Sequence, residues 1–353
     1  MLRLTALEVK NTIFFMTAAS WKIIRYSCDD KAPESLGAVS LFCSKQTLLM
    51  KKIIFLSSAL FLILFSSCSE KVYDANEDHS RGTFLRSMEI DGETREYLIH
   101  VPQSYDTVDP VPLMLNFHGW EMKASEQMWV SDMRALANAE RFILVYPQGT
   151  EWRGATHWNI GSWTAGSTAN DLYFVDSLIG QVSACYNIDP DRVYACGYSN
   201  GGFFSQELAC QLSHKIAAIG AVAANMSVET LGNCNPTRPV PVVTISGTMD
   251  EIVEYDGSEP AGTISHRQTL DHWIAHNHVD TVPALTNVPN TNTSDGSSVV
   301  LYHYVNGEDN VEIKYFQVVG GGHGWPGKFG NMDIDANSVI WNFVSQFDRN
   351  GKR

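Results

Sequence analysis

From Arg81 the chain alternates apolar and polar residues as far as Ile90, reaches Asp91-Gly92, and alternates again from Arg95 to Val101. Asp-Gly between two alternating runs predicts an antiparallel hairpin. Beyond Pro110 the period changes. Short apolar runs at Val111–Phe117, Phe142–Tyr146, Arg192–Gly197, Ile216–Ala223, Val240–Ser246 and Glu312–Val318 read as strands. Between or after them, Ser125–Glu140, Asn170–Cys185, Gly202–Leu212, Thr263–His278 and Ile334–Phe347 carry the spacing of helices with one apolar face. Strands alternating with helices imply an α/β domain: a mostly parallel central sheet with helices on both faces, entered through the hairpin. Thr286–Ser298, rich in Asn, Thr, Ser and Pro, is expected to be a surface loop before the last strand.

The segment ahead of the hairpin follows a different pattern. Met50-Lys51-Lys52 is followed by thirteen apolar or small residues, Ile53 to Phe65, and then Ser66-Ser67-Cys68. A basic start, an apolar run too short to span a bilayer and a small-residue site predict a secretory signal over 50–67. Cys68 directly after two small residues resembles a bacterial lipobox, so Cys68 is the expected lipidation site, with the membrane contacted through that lipid only; an ordinary cleaved signal, giving a freely secreted protein, and an uncleaved single-pass anchor are the alternatives. Met50 then reads as the start codon, and residues 1–49 as an extension that is not made. Residues 68–82 read as a polar tether and 83–353 as one catalytic domain.

This division sharpens the charge. The full 353-residue chain holds 25 Lys and Arg against 39 Asp and Glu, a net −14. Residues 1–67 account for eight of the basic and four of the acidic residues, leaving 17 and 35, a net −18. Nucleic-acid binding without sequence preference needs a basic surface, so no nucleic-acid partner is expected.

Ligands in open α/β sheets gather at the carboxyl ends of the strands, and candidate chemistry is found there. The Arg192–Gly197 run ends in Gly197-Tyr198-Ser199-Asn200-Gly201, a G-x-S-x-G turn between a strand and a helix, which fits Ser199 as a nucleophile. The Val240–Ser246 run ends in Gly247-Thr248-Met249-Asp250. A carboxylate there can orient a histidine, although it equally suits an Asx-turn, and Glu251, Glu254 and Asp256 compete for the role. Past the last strand, His323 sits in Gly320-Gly321-Gly322-His323-Gly324-Trp325. The order Ser199, Asp250, His323 is that of the α/β-hydrolase triad. Val111–Phe117 ends in His118-Gly119-Trp120, where such folds take one oxyanion-hole N–H. The Trp120 and Asn200 N–H groups are assigned to that hole, and His118 to a structural role.

These residues, with Tyr146-Pro147-Gln148-Gly149, Trp158-Asn159, Asp189-Pro190-Asp191-Arg192 and Gly322-His323-Gly324-Trp325-Pro326-Gly327, resemble the polyhydroxybutyrate depolymerase/feruloyl esterase-type family of secreted α/β-hydrolases, related to carbohydrate esterase family 1. The likeness runs from about Thr94 to the carboxyl end. Glu254 stands where the family has Pro, and Trp120-Glu121 where it has smaller residues. The resemblance implies a Ser–His–Asp carboxylic ester hydrolase that needs no metal and no cofactor. Its substrate would be a feruloyl or acetyl ester of plant polysaccharide, with a hydroxyalkanoate polyester or oligomer as the alternative. A prolyl-oligopeptidase-type peptidase shares the triad order but carries a large added domain. A non-catalytic carbohydrate-binding lipoprotein has no need of an intact triad.

With Cys68 lipidated, Cys185, Cys196, Cys210 and Cys234 remain, and three pairings are open; the family resemblance favours Cys210 with Cys234. Trp120, Trp129, Trp152, Trp158, Trp163 and Trp325 crowd the predicted cleft loops. Most are expected in the core, with Trp120 and Trp325 the candidates for contact with substrate. His272 and His276 have i, i+4 spacing but no evident third ligand, and read as a solvated face rather than a metal site.

Overall fold

The computed structural model describes residues 80–353, together with the strands Thr5–Glu8, Thr12–Thr17 and Ser20–Arg25, which form a small antiparallel sheet of their own. The signal segment 50–67, the lipidation site Cys68 and nearly all of the tether lie outside the described residues.

A ten-stranded sheet frames the domain from Gly82 onward. Its strands are β1 (Gly82–Ile90), β2 (Glu93–Val101), β3 (Val111–Phe117), β4 (Ile143–Pro147), β5 (Ile188–Tyr198), β6 (Ile216–Val222), β7 (Val242–Gly247), β8 (Ala284–Asn287), β9 (Ser298–Tyr304) and β10 (Ile313–Val319). They lie in the order β8-β9-β10-β7-β6-β5-β3-β4-β2-β1. Strands β3 to β7 and β10 are parallel. Antiparallel pairs close both edges, β4-β2-β1 on one side and β10-β9-β8 on the other.

Every residue of β3, β6 and β7 is buried, as a sheet covered on both faces requires. Alternate residues feed two cores. Leu113, Leu115, Val193 and Ala195 pack with helices α3 (Asp171–Cys185), α4 (Asn200–Gln211) and α6 (His266–Asn277). Met114, Tyr194, Cys196 and Val243 pack with α1 (Ala124–Val130), α2 (Arg134–Glu140) and α7 (Ala336–Val344). The short α5 (Val228–Asn233) completes the helices. Each fully buried large apolar side chain contributes roughly 1.5–3 kcal/mol, so the alternation alone fixes strand register.

Two expectations change. The helix foreseen over Ser125–Glu140 is broken at Ser131–Met133. Tyr146 makes the break tolerable: its hydroxyl donates to the Ser131 carbonyl (2.6 Å) and accepts from the Met133 N–H (3.2 Å), two backbone groups a continuous helix would have used. The loop foreseen over Thr286–Ser298 is the connection of a hairpin, whose arms β8 and β9 extend the sheet. Alternation in Val299–Tyr304 marks β9, and the polar stretch before it masks the signal.

The strand order reverses between the parallel β3 and β5: the connection from β3 leads one way to β4, and the connection from β5 leads the other way to β6. A crevice opens at such a switch point, outside the carboxyl ends of the strands. Ser199 follows β5 and His118 follows β3.

Candidate active site

Ser199 occupies the turn from β5 into α4 with φ 53° and ψ −121°. A non-glycine residue reaches this region at a cost of about 1–3 kcal/mol, and persists there only when its surroundings hold it. Close backbone approach does so. A Cβ on Gly197 would lie 2.3 Å from the Gly201 carbonyl carbon, and one on Gly201 would lie 2.3 Å from the Phe117 carbonyl oxygen. Only glycine at both positions lets helix and strands meet this tightly. The Ser199 N–H donates to the Val222 carbonyl (2.9 Å), which fixes the turn to β6.

Asp250 and His323 are brought together. The His323 Nδ1–H donates to Asp250 Oδ2 at 2.7 Å, which leaves Nε2 free to accept a proton. The other carboxylate oxygen, Oδ1, accepts from the Ile252 and Val253 N–H groups at 2.9 and 2.8 Å. Asp250 is buried, whereas Glu251, Glu254 and Asp256 are exposed. Two backbone bonds and one side-chain bond lace the two loops: Thr248 N–H to the Val318 carbonyl, Met249 N–H to the Gly321 carbonyl, and Gly320 N–H to the Thr248 side-chain Oγ1. Tyr198, next to Ser199, donates its hydroxyl to the His323 carbonyl (3.1 Å) and lays its ring 5.0 Å from the imidazole. Beneath the acid loop, fully buried His266 meets Ser246 Oγ and Asn225 Oδ1, each at 3.2 Å, and Asn225 Nδ2 donates to the Glu254 carbonyl. Burial pushes the His266 pKa down to about 3.

The side of Ser199 that carries Trp120 and Asn200, termed the oxyanion side after the role expected of it, is built differently. A Cβ on Gly119 would touch Ser199 Cβ at 3.4 Å, so the His118-Gly119-Trp120 turn lies beside Ser199. Among the described residues no acceptor takes the Trp120 or the Asn200 backbone N–H. His118 is locked: Nε2 accepts from the Gly149 N–H (2.9 Å), so Nδ1 carries the proton and donates to the Gly119 carbonyl (2.7 Å). Burial holds its pKa down at about 4, which keeps the ring neutral. Both ring nitrogens are thus engaged with the backbone.

The wider bracing of this side went unnoticed in the sequence. Asn200 clasps the Trp158 backbone through both amide atoms, and the Trp158 indole donates to the His118 carbonyl. The next residue, Asn159, donates its N–H to Asp171 Oδ2. The other oxygen of Asp171 pairs at 2.8 Å with Arg95, both side chains being almost wholly buried. Arg95 also lies 3.9 Å over the Phe174 ring. The signal was weak: Trp158-Asn159 was conspicuous, and Asp171 opens a helix, but nothing local ties either to Arg95.

Of the two aromatic candidates, Trp120 is half-buried against Trp152 and His157. Trp325 is a correction. It is fully buried, packs edge-on against Tyr198 and donates its indole N–H to Asn337, so it supports the histidine loop from the core and does not face a cleft. Cys210 and Cys234 form a disulfide, which joins the last turn of α4 to the end of α5. Cys185 and Cys196 are free thiols, both raised above the ordinary value by burial. His272 and His276 are half-buried rather than solvated, turned toward Cys234 Sγ and the Arg238 carbonyl.

The parallel sheet, the switch-point crevice and the strained strand-to-helix serine define the α/β-hydrolase class. An acetyl xylan esterase from Aspergillus awamori has the same fold, with a TM-score of 0.52 at 14% identity over 74% of this chain and 99% of that one. The pattern of the family described as Esterase PHB depolymerase matches residues 96–287, and the chain belongs to that family. Among its relatives, a bifunctional acetylxylan esterase/xylanase of Neocallimastix patriciarum is 30% identical over 253 residues, 72% of this chain and 34% of that protein. Feruloyl esterase B of Piromyces equi is 27% identical, over 72% of this chain and 45% of its own length. Poly(3-hydroxyalkanoate) depolymerase C of Paucimonas lemoignei is 25% identical, over 86% of this chain and 76% of its own length. The chain thus spans less than half the length of the first two.

Proposed function

We propose that the protein is a serine carboxylic ester hydrolase that releases feruloyl or acetyl groups from plant polysaccharide. One observation carries the reading: a buried carboxylate 2.7 Å from a histidine whose loop is gripped by the residue next to a strained serine. In this mechanism His323 Nε2 takes the Ser199 proton as Oγ attacks the ester carbonyl. The Trp120 and Asn200 N–H groups receive the oxyanion, and Asp250 stabilises the imidazolium. The imidazolium gives its proton to the departing alcohol. Water, deprotonated by His323, then attacks the acyl-enzyme and frees Ser199.

Support for the polysaccharide esters comes from the likeness to an acetylxylan esterase and a feruloyl esterase, which align with 72% of the chain each. A second reading, hydrolysis of hydroxyalkanoate polyester or oligomers, is favoured by the depolymerase that aligns with 86%. In either case residues 83–353 act as a single catalytic domain. The segment 50–67 is removed on export, Cys68 carries the lipid and 68–82 serves as the tether. The test is a panel of methyl ferulate, acetylated xylan, 3-hydroxybutyrate oligomers and p-nitrophenyl acetate, with wild type and Ser199→Ala. Wild type should cleave ferulate or xylan esters, and the variant none of the panel. Activity retained in the variant refutes the nucleophile, and activity on the oligomers alone reverses the substrate order.

A further inference from the structure

Trp129 differs from the other tryptophans of residues 80–353. Trp158, Trp273, Trp325 and Trp341 are buried, Trp120, Trp152 and Trp163 half-buried, and Trp129 is 64% exposed. An indole left in water forgoes the burial of roughly 150–250 Å². One of its faces is occupied, since Lys328 Nζ lies 4.0 Å from the ring centroid. The two partners come from functionally distinct segments. Trp129 is on α1, the first helix after the His118-Gly119-Trp120 turn, and Lys328 follows His323 by five residues. Ser125 and Glu126, four and three residues before Trp129, share its helix face and are also exposed. The result is a flat apolar ring with an ammonium over one face, and with the exposed Ser125 hydroxyl and Glu126 carboxylate, whose Oε2 accepts from the Lys123 N–H at 2.7 Å, on the same helix face, where the segment after the His118 turn meets the segment after His323.

We propose that Trp129 and Lys328 form a stacking platform for a sugar ring of the polysaccharide that carries the ester, distinct from the cleft that takes the acyl group. A pyranose has an apolar C–H face that lies flat on an indole, and a rim of hydroxyls that exchange hydrogen bonds with Lys328 and Glu126. A polyester surface fits poorly. Laid on the same ring it would strip water from the ammonium and the carboxylate and return no matching hydrogen bonds. The choice of polymer rests on the esterase reading above, whereas the platform itself is a matter of binding and is measured without turnover.

The test is calorimetric titration of the folded protein with linear, unsubstituted xylohexaose, which contains no ester. Wild type should bind, Trp129→Ala should bind roughly three- to tenfold more weakly, and Trp129→Phe should fall between them. Lys328→Met should weaken binding while leaving the ring in place. Matching circular dichroism melts of wild type and Trp129→Phe confirm that folding is not what is measured. Equal affinity of Trp129→Ala and wild type overturns the proposal. So does a wild type that ignores xylohexaose and adsorbs to a poly(3-hydroxybutyrate) film through Trp129. Failure of the esterase reading shows instead as inactivity of wild type across the ester panel, whatever the titration gives.

Discussion

The two sides of Ser199 are held by different means. On the histidine side, short loops at the ends of β7 and β10 are stitched by backbone hydrogen bonds, and Asp250 is aimed by two N–H groups of its own loop. On the oxyanion side, the turn after β3 is held by buried side chains drawn from β2, α3 and the segment around Trp158. The first arrangement is mostly local backbone and tolerates changes in most side chains other than Thr248, Tyr198 and the proposed Ser199, Asp250 and His323. The second depends on polar groups far apart in sequence, and the loss of one strands another in a dry interior.

The largest expected effect belongs to the histidine side. Asp250→Asn keeps the shape but no longer stabilises the imidazolium, and kcat on p-nitrophenyl acetate should fall about 10³- to 10⁴-fold. Asp256→Asn, on an exposed side chain, should leave kcat near wild type. A small effect of the first or a large effect of the second would move the acid elsewhere.

Next comes the brace on the oxyanion side. Asp171→Ala leaves the Arg95 guanidinium buried without its partner and should cost about 3–5 kcal/mol in urea unfolding. The double change Arg95→Met with Asp171→Leu should recover much of that loss. If the single variant unfolds like wild type, the pair does not brace this side.

The smallest effect probes one histidine from each side. His118 and His266 have folded pKa values of about 4 and about 3, below the ordinary 6.5. The unfolded chain therefore binds protons on acidification before the folded one does. Stability is complete above about pH 6.5 and falls as pH drops toward those folded values. At pH 5 each ring should have cost roughly 2 kcal/mol. Unfolding measured at pH 7.5 and pH 5 should show this loss, and His118→Asn should remove about half of it. An undiminished loss in that variant assigns the acid sensitivity to other groups.

The same division explains what the sequence disclosed. The histidine side was legible because each group stands within a few residues of a strand end, in a turn whose glycines announce it. The mostly parallel sheet and its two-faced core followed from apolar runs alternating with helical stretches, whereas the order of the strands did not. Arg95 was illegible because an arginine in an alternating strand looks like an outward-facing residue, and only the fold turns it toward Asp171. Trp325 misled for the opposite reason. Its neighbour His323 suggested a cleft, but a residue that follows a Gly-rich loop can fold back under it, and the indole supports the loop from below. Trp129 was expected in the core with most of the tryptophans, an expectation that carries no information about which helix face it shares.

The sense of the edge strands has a consequence for how the enzyme would stand on a surface. Strand β1 is antiparallel to β2, and β2 to β4, so β1 runs in the same sense as the parallel strands at the centre. The chain therefore enters the domain at Gly82 on the amino-terminal end of the sheet, whereas Ser199, Asp250 and His323 all lie at the opposite end. The proposed lipid and tether, attached upstream of Gly82, would hold the molecule by its base and leave its mouth pointing outward, toward a substrate too large to slip beneath it.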